Sequence, residues 1–437
     1  MRKILLMIAV VGLTACDGGG GGITNTPAPD SGTCSNTAQK QLVLDVMRDW
    51  YLWNTLLPAE VDINAHAGPH ELLAFLIEVQ PLDQFSHINT LVADTQFFGE
   101  GQFEGFGFGT RMVADGDLRL TRVFTDSPAN AAGLARGQRI LELNGRTIAA
   151  IEAAEGVGAV FDTSPIDFTM REPNNNEFTV SITADIVTIN PVPQSRIIPV
   201  MGTPGIGYLE FAQFISTADP AFDTVFSEFR AADVTDLIID MRFNGGGLVS
   251  TAELLGDYLG GFVAQNLVFS KTNFNADRAS NNTQEFFELR ANSLGLSRLI
   301  IVASENTASA SELVTNSMGP HVEVTIIGDR TFGKPVGQIG VEFCEQVLRP
   351  TAFQTVNAND FGDYFDGLPA DCTVADDLEI PVGADNDPNV EAALTYFATG
   401  GCPVVFAPNT AAKSASRSRA QQANRRGAPQ RELADAY

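Results

Sequence analysis

The sequence predicts a multidomain α/β protein, and three observations along the chain support this prediction. Residues 37–97 carry apolar side chains at the three- and four-residue spacing of helices. Residues 98–190 alternate apolar and polar side chains between glycine turns, which is typical of short strands. Residues 191–405 alternate strand-like with helix-like segments, as an α/β core does. The chain has 437 residues, 44% of them hydrophobic, so it can bury more than one core.

Within these regions the apolar pattern predicts individual elements. Residues 39–79 are expected to be helical, with an interruption at Pro58. The β region is expected to contain strands at 118–123 and 140–143, the second followed by an Asn-Gly turn. The α/β core is expected to contain strands at 206–211, 236–240, 299–303 and 324–327, with helices at 222–231 and 251–259.

The composition excludes several function classes. The chain has 27 basic and 53 acidic residues, which give a formal net charge of −26 at pH 7. Nucleic acid is therefore not expected as a partner, because its phosphates must be neutralised by Lys and Arg. The chain has only four histidines, and none of them stands in an HxH or HExxH pair. Neither a metal site nor another cofactor is predicted.

The first residues predict export. Residues 1–15 combine a charged start with an apolar stretch too short to span a bilayer, as in a signal peptide. Leu13-Thr14-Ala15-Cys16 resembles the lipobox of bacterial lipoproteins, in which the cysteine carries the lipid; an ordinary secretory signal with a chance cysteine is the alternative. We therefore expect an exported protein, lipid-anchored through Cys16 to a bacterial membrane and facing the periplasm or the cell exterior.

Two further segments are not expected to belong to a packed domain. Residues 16–36 are rich in Gly, Thr and Pro, a composition that predicts a flexible tether. Residues 406–437 are rich in Ala, Arg, Ser and Gln and contain few apolar residues, so they are expected to form a disordered tail.

Four cysteines remain besides Cys16, and an even number in an exported protein predicts two disulfides with three possible pairings. These cysteines are Cys34, Cys344, Cys372 and Cys402. Proximity in the sequence favours Cys344–Cys372, which leaves Cys34–Cys402 to join the two ends. Free buried thiols are the alternative.

Two segments of the α/β core carry the residue types of a nucleophilic hydrolase. The strand at 299–303 runs into small residues and then a helix, a junction that exposes one hydroxyl beside the free N–H groups of the helix N-terminus. The strand at 324–327 leads to Lys334, which lies between glycine turns. A desolvated lysine favours its neutral form and can accept a serine proton. Such Ser–Lys pairs catalyse acyl transfer without histidine.

These segments resemble the C-terminal processing (tail-specific) serine peptidases. Residues 307–312 match the family's small-residue block, which makes Ser309 the nucleophile. The resemblance implies that Lys334, 25 residues further along, is its partner and that Gln338 holds the lysine in place. It also implies an oxyanion hole, formed by the N–H of Ala310 and an N–H of the glycine turn at 244–247. Gly246 is the predicted donor in this turn, and Gly245 is the alternative.

The β region resembles a PDZ domain, a module that binds the C-terminal carboxylate of a polypeptide on backbone N–H groups. The residues that match its carboxylate-binding loop, and are therefore predicted to bind peptide, are Gly105, Phe106, Gly107 and Phe108. The alternative is an unrelated small β domain, and at least one of the two phenylalanines is expected to be a core residue. For the α/β core the resemblance implies a ClpP/crotonase-like serine peptidase fold.

The resemblance covers about residues 43–397 and implies a function. We expect an exported serine endopeptidase that acts on polypeptides with free C-termini through an acyl-enzyme. A catalytically silent peptide-binding scaffold is the alternative, and an esterase or amidase for small molecules is a weaker one. The presence of Ser309, Lys334 and Gln338 together favours the enzyme. The sequence makes no prediction of the oligomeric state.

Overall fold

A computed structural model describes residues 34–403 of the chain. The predicted signal peptide, the predicted lipid site Cys16, most of the tether and the predicted tail at 406–437 lie outside the described residues. Between residues 34 and 403, no helix is both long and apolar enough to cross a membrane.

The described residues form a mixed α/β structure, in agreement with the predicted class. Its α-helices are α1 (Asn36–Trp50), α2 (Pro69–Ile77), α3 (Leu91–Thr95), α4 (Pro128–Ala131), α5 (Ile148–Ala154), α6 (Val157–Phe161), α7 (Ala218–Ala231), α8 (Val249–Gly260), α9 (Ala310–Met318) and α10 (Pro388–Thr399). Its strands up to residue 200 are β1 (His87–Thr90), β2 (Gln102–Gly105), β3 (Phe108–Ala114), β4 (Asp117–Val123), β5 (Arg139–Leu143), β6 (Arg146–Thr147), β7 (Ile166–Arg171), β8 (Glu177–Ile182), β9 (Asp185–Thr188) and β10 (Gln194–Ile198). The later strands are β11 (Ile206–Glu210), β12 (Asp236–Asp240), β13 (Val268–Phe274), β14 (Thr283–Phe286), β15 (Arg298–Ala303), β16 (Glu323–Gly328), β17 (Val336–Gln338), β18 (Val341–Phe343), β19 (Gln346–Arg349), β20 (Thr351–Asn357) and β21 (Cys372–Thr373).

The N-terminal region packs two helices against a small sheet. The predicted helical stretch is confirmed as α1 and α2, with a break that contains Pro58. Ser35 begins α1 by accepting a hydrogen bond from the Ala38 N–H, and Pro69 occupies the first turn of α2, where no N–H is needed. Strand β1 then pairs antiparallel with β19, from much later in the chain. The N-terminal region therefore shares a sheet with the second half of the protein.

The middle β region, residues 102–188, is built from antiparallel strands. Strands β3, β4, β5, β7 and β8 form one sheet in that order, and β2 pairs with β9 beside it. The strands expected at 118–123 and 140–143 are confirmed as β4 and β5. Asn144 and Gly145 both have positive φ, as a tight hairpin turn requires. The sheet closes over a core of its own that contains Phe108, Leu120 and Ile140.

The main sheet of the α/β core has the order β10-β11-β12-β15-β16-β21 and is parallel from β11 to β21. Leu237 and Ile239 of β12 pack in the core that contains α7, α8 and α9, whereas Ile238 packs with residues of α10 on the other face. Every predicted strand of this sheet is confirmed, and β12 has the predicted bounds. Because parallel strands end at one edge, the segments that follow β12 and β15 lie side by side. A second, antiparallel sheet in the order β14-β13-β20-β17 carries the segment after Lys334.

The two disulfides are not the pairs that sequence proximity favours. Cys34 pairs with Cys344, and Cys372 pairs with Cys402, with Cα–Cα distances of 5.6 and 5.4 Å. The expected pairs Cys344–Cys372 and Cys34–Cys402 are therefore wrong. Cys344 lies in the hairpin between β18 and β19, and this hairpin packs on α1 and α2. Cys372 lies in β21, which packs against α10, and Cys402 follows the end of α10. The packing of α1 on the β18-β19 hairpin and of α10 on β21, rather than distance along the chain, decides the two pairings.

Candidate active site

Ser309, the predicted nucleophile, lies at a strained turn between β15 and α9. Its φ of 55° and ψ of −115° are unusual for a residue with a side chain, and such strain persists only where neighbouring contacts hold it. Ala308 and Ala310 on either side are buried, whereas Ser309 is partly exposed. The Ala308 N–H donates to the Asn244 carbonyl, 3.1 Å away, which joins this turn to the glycine turn. The turn therefore leaves Ser309 partly exposed between two buried residues.

A completely buried carboxylate, that of Glu312, connects the serine segment to the lysine segment. Its Oε2 accepts hydrogen bonds from the backbone N–H groups of Ser309, at 2.9 Å, and Lys334, at 2.8 Å. Its Oε1 accepts from the Gly333 N–H at 2.8 Å and from the Thr331 hydroxyl at 2.5 Å. Burial raises the pKa of Glu312, although these hydrogen bonds oppose the rise. One side chain thus fixes the backbone at both predicted catalytic positions.

Lys334 is buried beneath an aromatic ring from the N-terminal region. Its side chain belongs to a residue only 7% exposed, and its Nζ lies 5.3 Å from the centroid of the Phe85 ring. Gln338, at the end of β17, donates from its Nε2 to the Phe85 carbonyl at 3.0 Å. This hydrogen bond uses the amide nitrogen of Gln338. The amide oxygen of Gln338 remains as a hydrogen-bond acceptor. The structure therefore brings Lys334, Gln338 and Phe85 together.

The glycine turn at 244–247 approaches the serine so closely that a side chain would not fit. Gly246 has a φ of 107°, and a Cβ placed on it would lie 2.6 Å from Cβ of Ser309 and 2.9 Å from N of Ala310. Its own N–H, however, donates to Oδ1 of Asn244 at 2.9 Å. The Ala310 N–H belongs to the first turn of α9 and donates to no acceptor among residues 34–403. Of the two predicted oxyanion donors, the Ala310 N–H is therefore available to a ligand, whereas the Gly246 N–H already donates to Asn244.

A buried arginine anchors the start of the glycine turn. Arg242 is 2% exposed and forms ion pairs with Asp240 at 2.6 Å, Asp387 at 2.7 Å and Asp376 at 2.8 Å. Asp376 also binds Arg136 of the middle β region, at 2.6 Å. Although burial acts in the opposite direction, Arg136 and Arg242 lower the pKa of Asp376. This network joins the middle β region to the edge of the sheet that carries the predicted site.

The 105–108 loop of the middle β region is supported by its own core. The rings of Phe106 and Phe108 are 1% and 0% exposed and stack with centroids 6.0 Å apart, so both phenylalanines are core residues. Gly107 has a φ of 85°, and its carbonyl accepts from the Phe124 N–H at 2.9 Å. Within the described part of the chain, the N–H groups of Phe106 and Gly107 have no acceptor. Any ligand of this loop would therefore meet backbone rather than aromatic rings.

Sequence reasoning assigned no role to Glu312 or Phe85. The signal for Glu312 was present: an acidic residue three positions after a helix-capping serine forms a capping box, in which its carboxylate binds the capping N–H. No local signal points to Phe85, because its neighbours Lys334 and Gln338 are distant in the sequence. Among residues 34–403, no group of three or more His, Cys, Asp or Glu side chains could hold a metal ion.

Comparison with known families identifies the class of protein. The model described as peptidase family S41 matches residues 205–363, which contain the serine, lysine and glycine-turn segments. The model of the peptidase S41 N-terminal domain matches residues 38–87, which end just beyond Phe85. The chain belongs to peptidase family S41, the family of C-terminal processing serine-type peptidases.

Individual relatives agree with this assignment. The chloroplastic C-terminal processing peptidase of Tetradesmus obliquus is 27% identical over 261 residues, 55% of this chain and 53% of that protein. A crystal structure from Bacteroides fragilis assigned to the S41 proteases superposes with a TM-score of 0.65 at 23% identity, covering 82% of this chain and 97% of the other. The photosystem II D1 C-terminal processing protease superposes with a TM-score of 0.53 at 20% identity, covering 78% and 94%. The two structures support the fold, and the chain spans about half the length of the curated relatives it matches.

Proposed function

We propose that this protein is an exported serine endopeptidase that cleaves peptide bonds with Ser309 and Lys334 and binds polypeptide C-termini through the 105–108 loop. The observation that carries this proposal is the buried Glu312 carboxylate, whose Oε2 lies within 3 Å of the backbone nitrogens of both Ser309 and Lys334. A single oxygen that binds both residues keeps them adjacent, although they are 25 positions apart in the sequence.

The proposed reaction proceeds through an acyl-enzyme. The Lys334 amine accepts the proton of the Ser309 hydroxyl as Oγ attacks the carbonyl carbon of the scissile bond. The resulting oxyanion lies at the N-terminus of α9, where the Ala310 N–H donates to it. Lys334 then passes its proton to the leaving amine, the C–N bond breaks, and an ester on Ser309 remains. Water hydrolyses this ester, with Lys334 accepting a proton from the water and returning it to Oγ.

Two features of the site support the role of Lys334. Its side chain is buried, and its backbone shares the Glu312 carboxylate with the backbone of Ser309. The Gln338 amide nitrogen is bound to the Phe85 carbonyl, so its oxygen remains as the acceptor that would orient the lysine. We assign Gln338 to this orienting role.

Substrate selection is assigned to the middle β region. A carboxylate needs closely spaced N–H donors, and the unused N–H groups of Phe106 and Gly107 are adjacent in the chain. This arrangement favours polypeptides with a free C-terminus, and the buried phenylalanine rings keep the loop backbone in place. The formal charge of −26 adds an expectation that acidic tails are processed more slowly at low salt.

Export and a lipid anchor at Cys16 complete the proposal. Two cysteine pairs at disulfide distance suit an oxidising compartment outside the cytoplasm. Replacing the anchor residue, Cys16→Ser, should leave the protein unlipidated and release it from membranes. Fractionation of the two proteins tests this, and membrane-bound, processed Cys16→Ser protein would contradict the anchor.

Cleavage of matched peptides tests the enzymatic proposal. One peptide sequence is prepared with a free and with an amidated C-terminus, and products are identified by mass spectrometry. The wild-type protein should cleave the free form faster, Ser309→Ala should cleave neither, and the exposed-serine control Ser297→Ala should match wild type. Hydrolysis by Ser309→Ala would refute the nucleophile, whereas equal cleavage of both peptides would refute selection by the C-terminus alone.

A further inference from the structure

The turn that contains Phe85 is fixed by a buried aspartate. Asp83 is 1% exposed, and its Oδ1 accepts hydrogen bonds from the N–H groups of Phe85 and Ser86, both at 3.0 Å. The same carboxylate accepts from the hydroxyls of Ser86, at 2.6 Å, and Thr351, at 2.9 Å. Thr351 belongs to β20, the strand that pairs with β17 next to the lysine segment. The position of Phe85 is therefore set relative to the site, not only within the N-terminal region.

Phe85 contacts the lysine side of the site in two ways. Its ring faces Lys334 Nζ at 5.3 Å from the centroid, within the range in which an aromatic face attracts a cation. Its carbonyl accepts the Gln338 amide at 3.0 Å. An edge-on contact with Phe332, with centroids 6.2 Å apart, supports the ring from the lysine segment itself.

We propose that Phe85 is a positioning residue for the base: its ring stabilises the ammonium form of Lys334, and its carbonyl orients Gln338. This inference rests on the proposed function, in which Lys334 carries a proton between its transfer from Ser309 and its delivery to the leaving amine. An electron-rich ring face favours the protonated side chain over the neutral amine. The ring therefore stabilises the step at which the lysine is charged.

The charged and titratable groups around Lys334 bear on the pH dependence. Glu312 of α9 accepts from the lysine backbone, and Tyr364 interacts with Glu312. Asp83 lies behind Phe85. Burial, followed by the charge of Glu312, raises the pKa of Tyr364. A change of Phe85 to another apolar residue leaves all of these groups in place, so a shift in the pH profile would report the ring itself.

The first test compares kcat against pH for the full-length wild type and Phe85→Leu. Without the ring, the ammonium is less favoured, so the acid limb of the profile should move to lower pH by about half a unit to about one and a half units. Phe85→Tyr keeps the ring and should retain the wild-type profile. Phe75→Leu is the matched control, because Phe75 lies in the same region, is 37% exposed and packs against His66; its profile should not move.

A second test measures lysine titration without turnover. The chain has five lysines, so the 13Cε signal of Lys334 can be assigned by its loss in Lys334→Arg. Its titration should shift to lower pH in Phe85→Leu by the same amount as the acid limb. If Phe85→Leu does not fold, trifluorophenylalanine at position 85 keeps the ring shape while weakening its negative face, and should shift the titration in the same direction.

The outcomes separate this inference from the proposed function. An unshifted titration in a folded variant, or a loss of kcat that is equal at every pH, would overturn the role of Phe85. In either case an inactive Lys334→Ala would leave the proposed Ser–Lys function standing. Full activity of Lys334→Ala would instead overturn the proposed function, and the inference about Phe85 with it.

Discussion

The turn at Ser309 and the 105–108 loop both present backbone N–H groups, but they are held in place by different interactions. Side-chain hydrogen bonds hold the serine turn: the Thr307 hydroxyl donates to the Met241 carbonyl at 2.8 Å, the Ser311 hydroxyl donates to the Asn244 carbonyl at 3.0 Å, and the Glu312 carboxylate accepts from the Ser309 N–H at 2.9 Å. The loop is supported mainly by buried aromatic rings and by backbone hydrogen bonds, with one side-chain hydrogen bond, from the Ser127 hydroxyl to the Gly107 carbonyl at 3.2 Å.

This difference predicts how each region responds to substitution. A buried polar network requires particular atoms, since each lost acceptor leaves a donor unsatisfied in a low dielectric. A loop supported by apolar packing depends on volume, and its backbone donors survive any change that preserves the packing. Substitutions in the serine and lysine segments should therefore abolish chemistry, whereas those in the loop should change stability and peptide binding. The predictions below test this contrast.

Loss of the proposed base should have the largest effect. Lys334→Ala should reduce kcat by at least about a thousandfold, because it removes the group that is proposed to take the serine proton. Lys334→Arg should not restore activity, because a guanidinium stays protonated. Steady-state kinetics on a cleaved polypeptide measures both. Lys271→Ala is the control, since Lys271 pairs with the exposed Asp360, and it should behave as wild type. Turnover near the wild-type rate in either Lys334 variant would refute the assignment.

Replacing the carboxylate that joins the two segments should follow. In the wild type, both oxygens of Glu312 accept hydrogen bonds from backbone N–H groups. Glu312→Gln replaces one of these oxygens with an NH2 group, which cannot accept. At least one of the N–H groups of Ser309, Gly333 and Lys334 therefore loses its acceptor. We expect kcat to fall by at least about tenfold and unfolding to become easier by about 1–3 kcal/mol. Kinetics and urea unfolding measure the two effects. The exposed Glu391→Gln is the control. Wild-type kinetics in Glu312→Gln would show that the shared oxygen is not needed.

Two glycines of the middle β region provide a matched pair for the loop. Gly107 and Gly133 have similar φ values, 85° and 80°, but a Cβ on Gly107 would lie 2.1 Å from Cβ of Ser127, whereas a Cβ on Gly133 would meet nothing within 4 Å. Gly133→Ala should cost about 1 kcal/mol of backbone strain. Gly107→Ala should cost more and raise KM for peptides with a free C-terminus. Thermal unfolding and kinetics compare them, and equal behaviour of the two variants would contradict the packing argument.

The last expected effect concerns the boundary between the regions and changes stability, not catalysis. Burial, followed by the charge of Asp240, raises the pKa of Glu210 from its usual 4.5 to about 7, against the opposing charges of Arg122, Arg242 and Arg136. A carboxyl whose pKa is raised on folding contributes stability that is complete below pH 4.5 and is lost as the pH rises to about 7. Glu210→Gln, which stays neutral, should remove this loss, by at most about 3 kcal/mol. Urea unfolding of the wild type and of Glu210→Gln at pH 4.5 and pH 8 measures this loss of stability. The same pH dependence of stability in both proteins would refute the prediction.

The elements of the α/β core could be predicted because their signals are local. Strand β12 is a run of buried apolar residues with the predicted bounds, and residues 307–312 carry the small residues that a sharp strand-to-helix junction needs. The positions of Ser309 and Lys334 were inferred from such local motifs. The structure places both segments on the Glu312 carboxylate.

Features that depend on long-range pairing could not be predicted. The disulfide partners of Cys34 and Cys372 follow from which strands α1 and α10 pack against, which sequence distance does not report. The proximity of Phe85 to Lys334 arises in the same way. The hydrogen bond between Gly246 and Asn244 depends on the local conformation of a glycine turn, where several backbone geometries are open to the same residues.

The pairing of β1 with β19 also bears on how the site is assembled during folding. The Ser86 hydroxyl accepts from the Thr351 N–H, which joins positions 265 residues apart, and contacts of this kind form late because a long loop must close first. Until they form, a chain can contain Ser309 and Lys334 without the ring of Phe85 over the lysine. Such a chain also lacks the hydrogen bond from Gln338 to the Phe85 carbonyl, which is proposed to orient the lysine, and is therefore expected to be a poor peptidase until the sheet is complete.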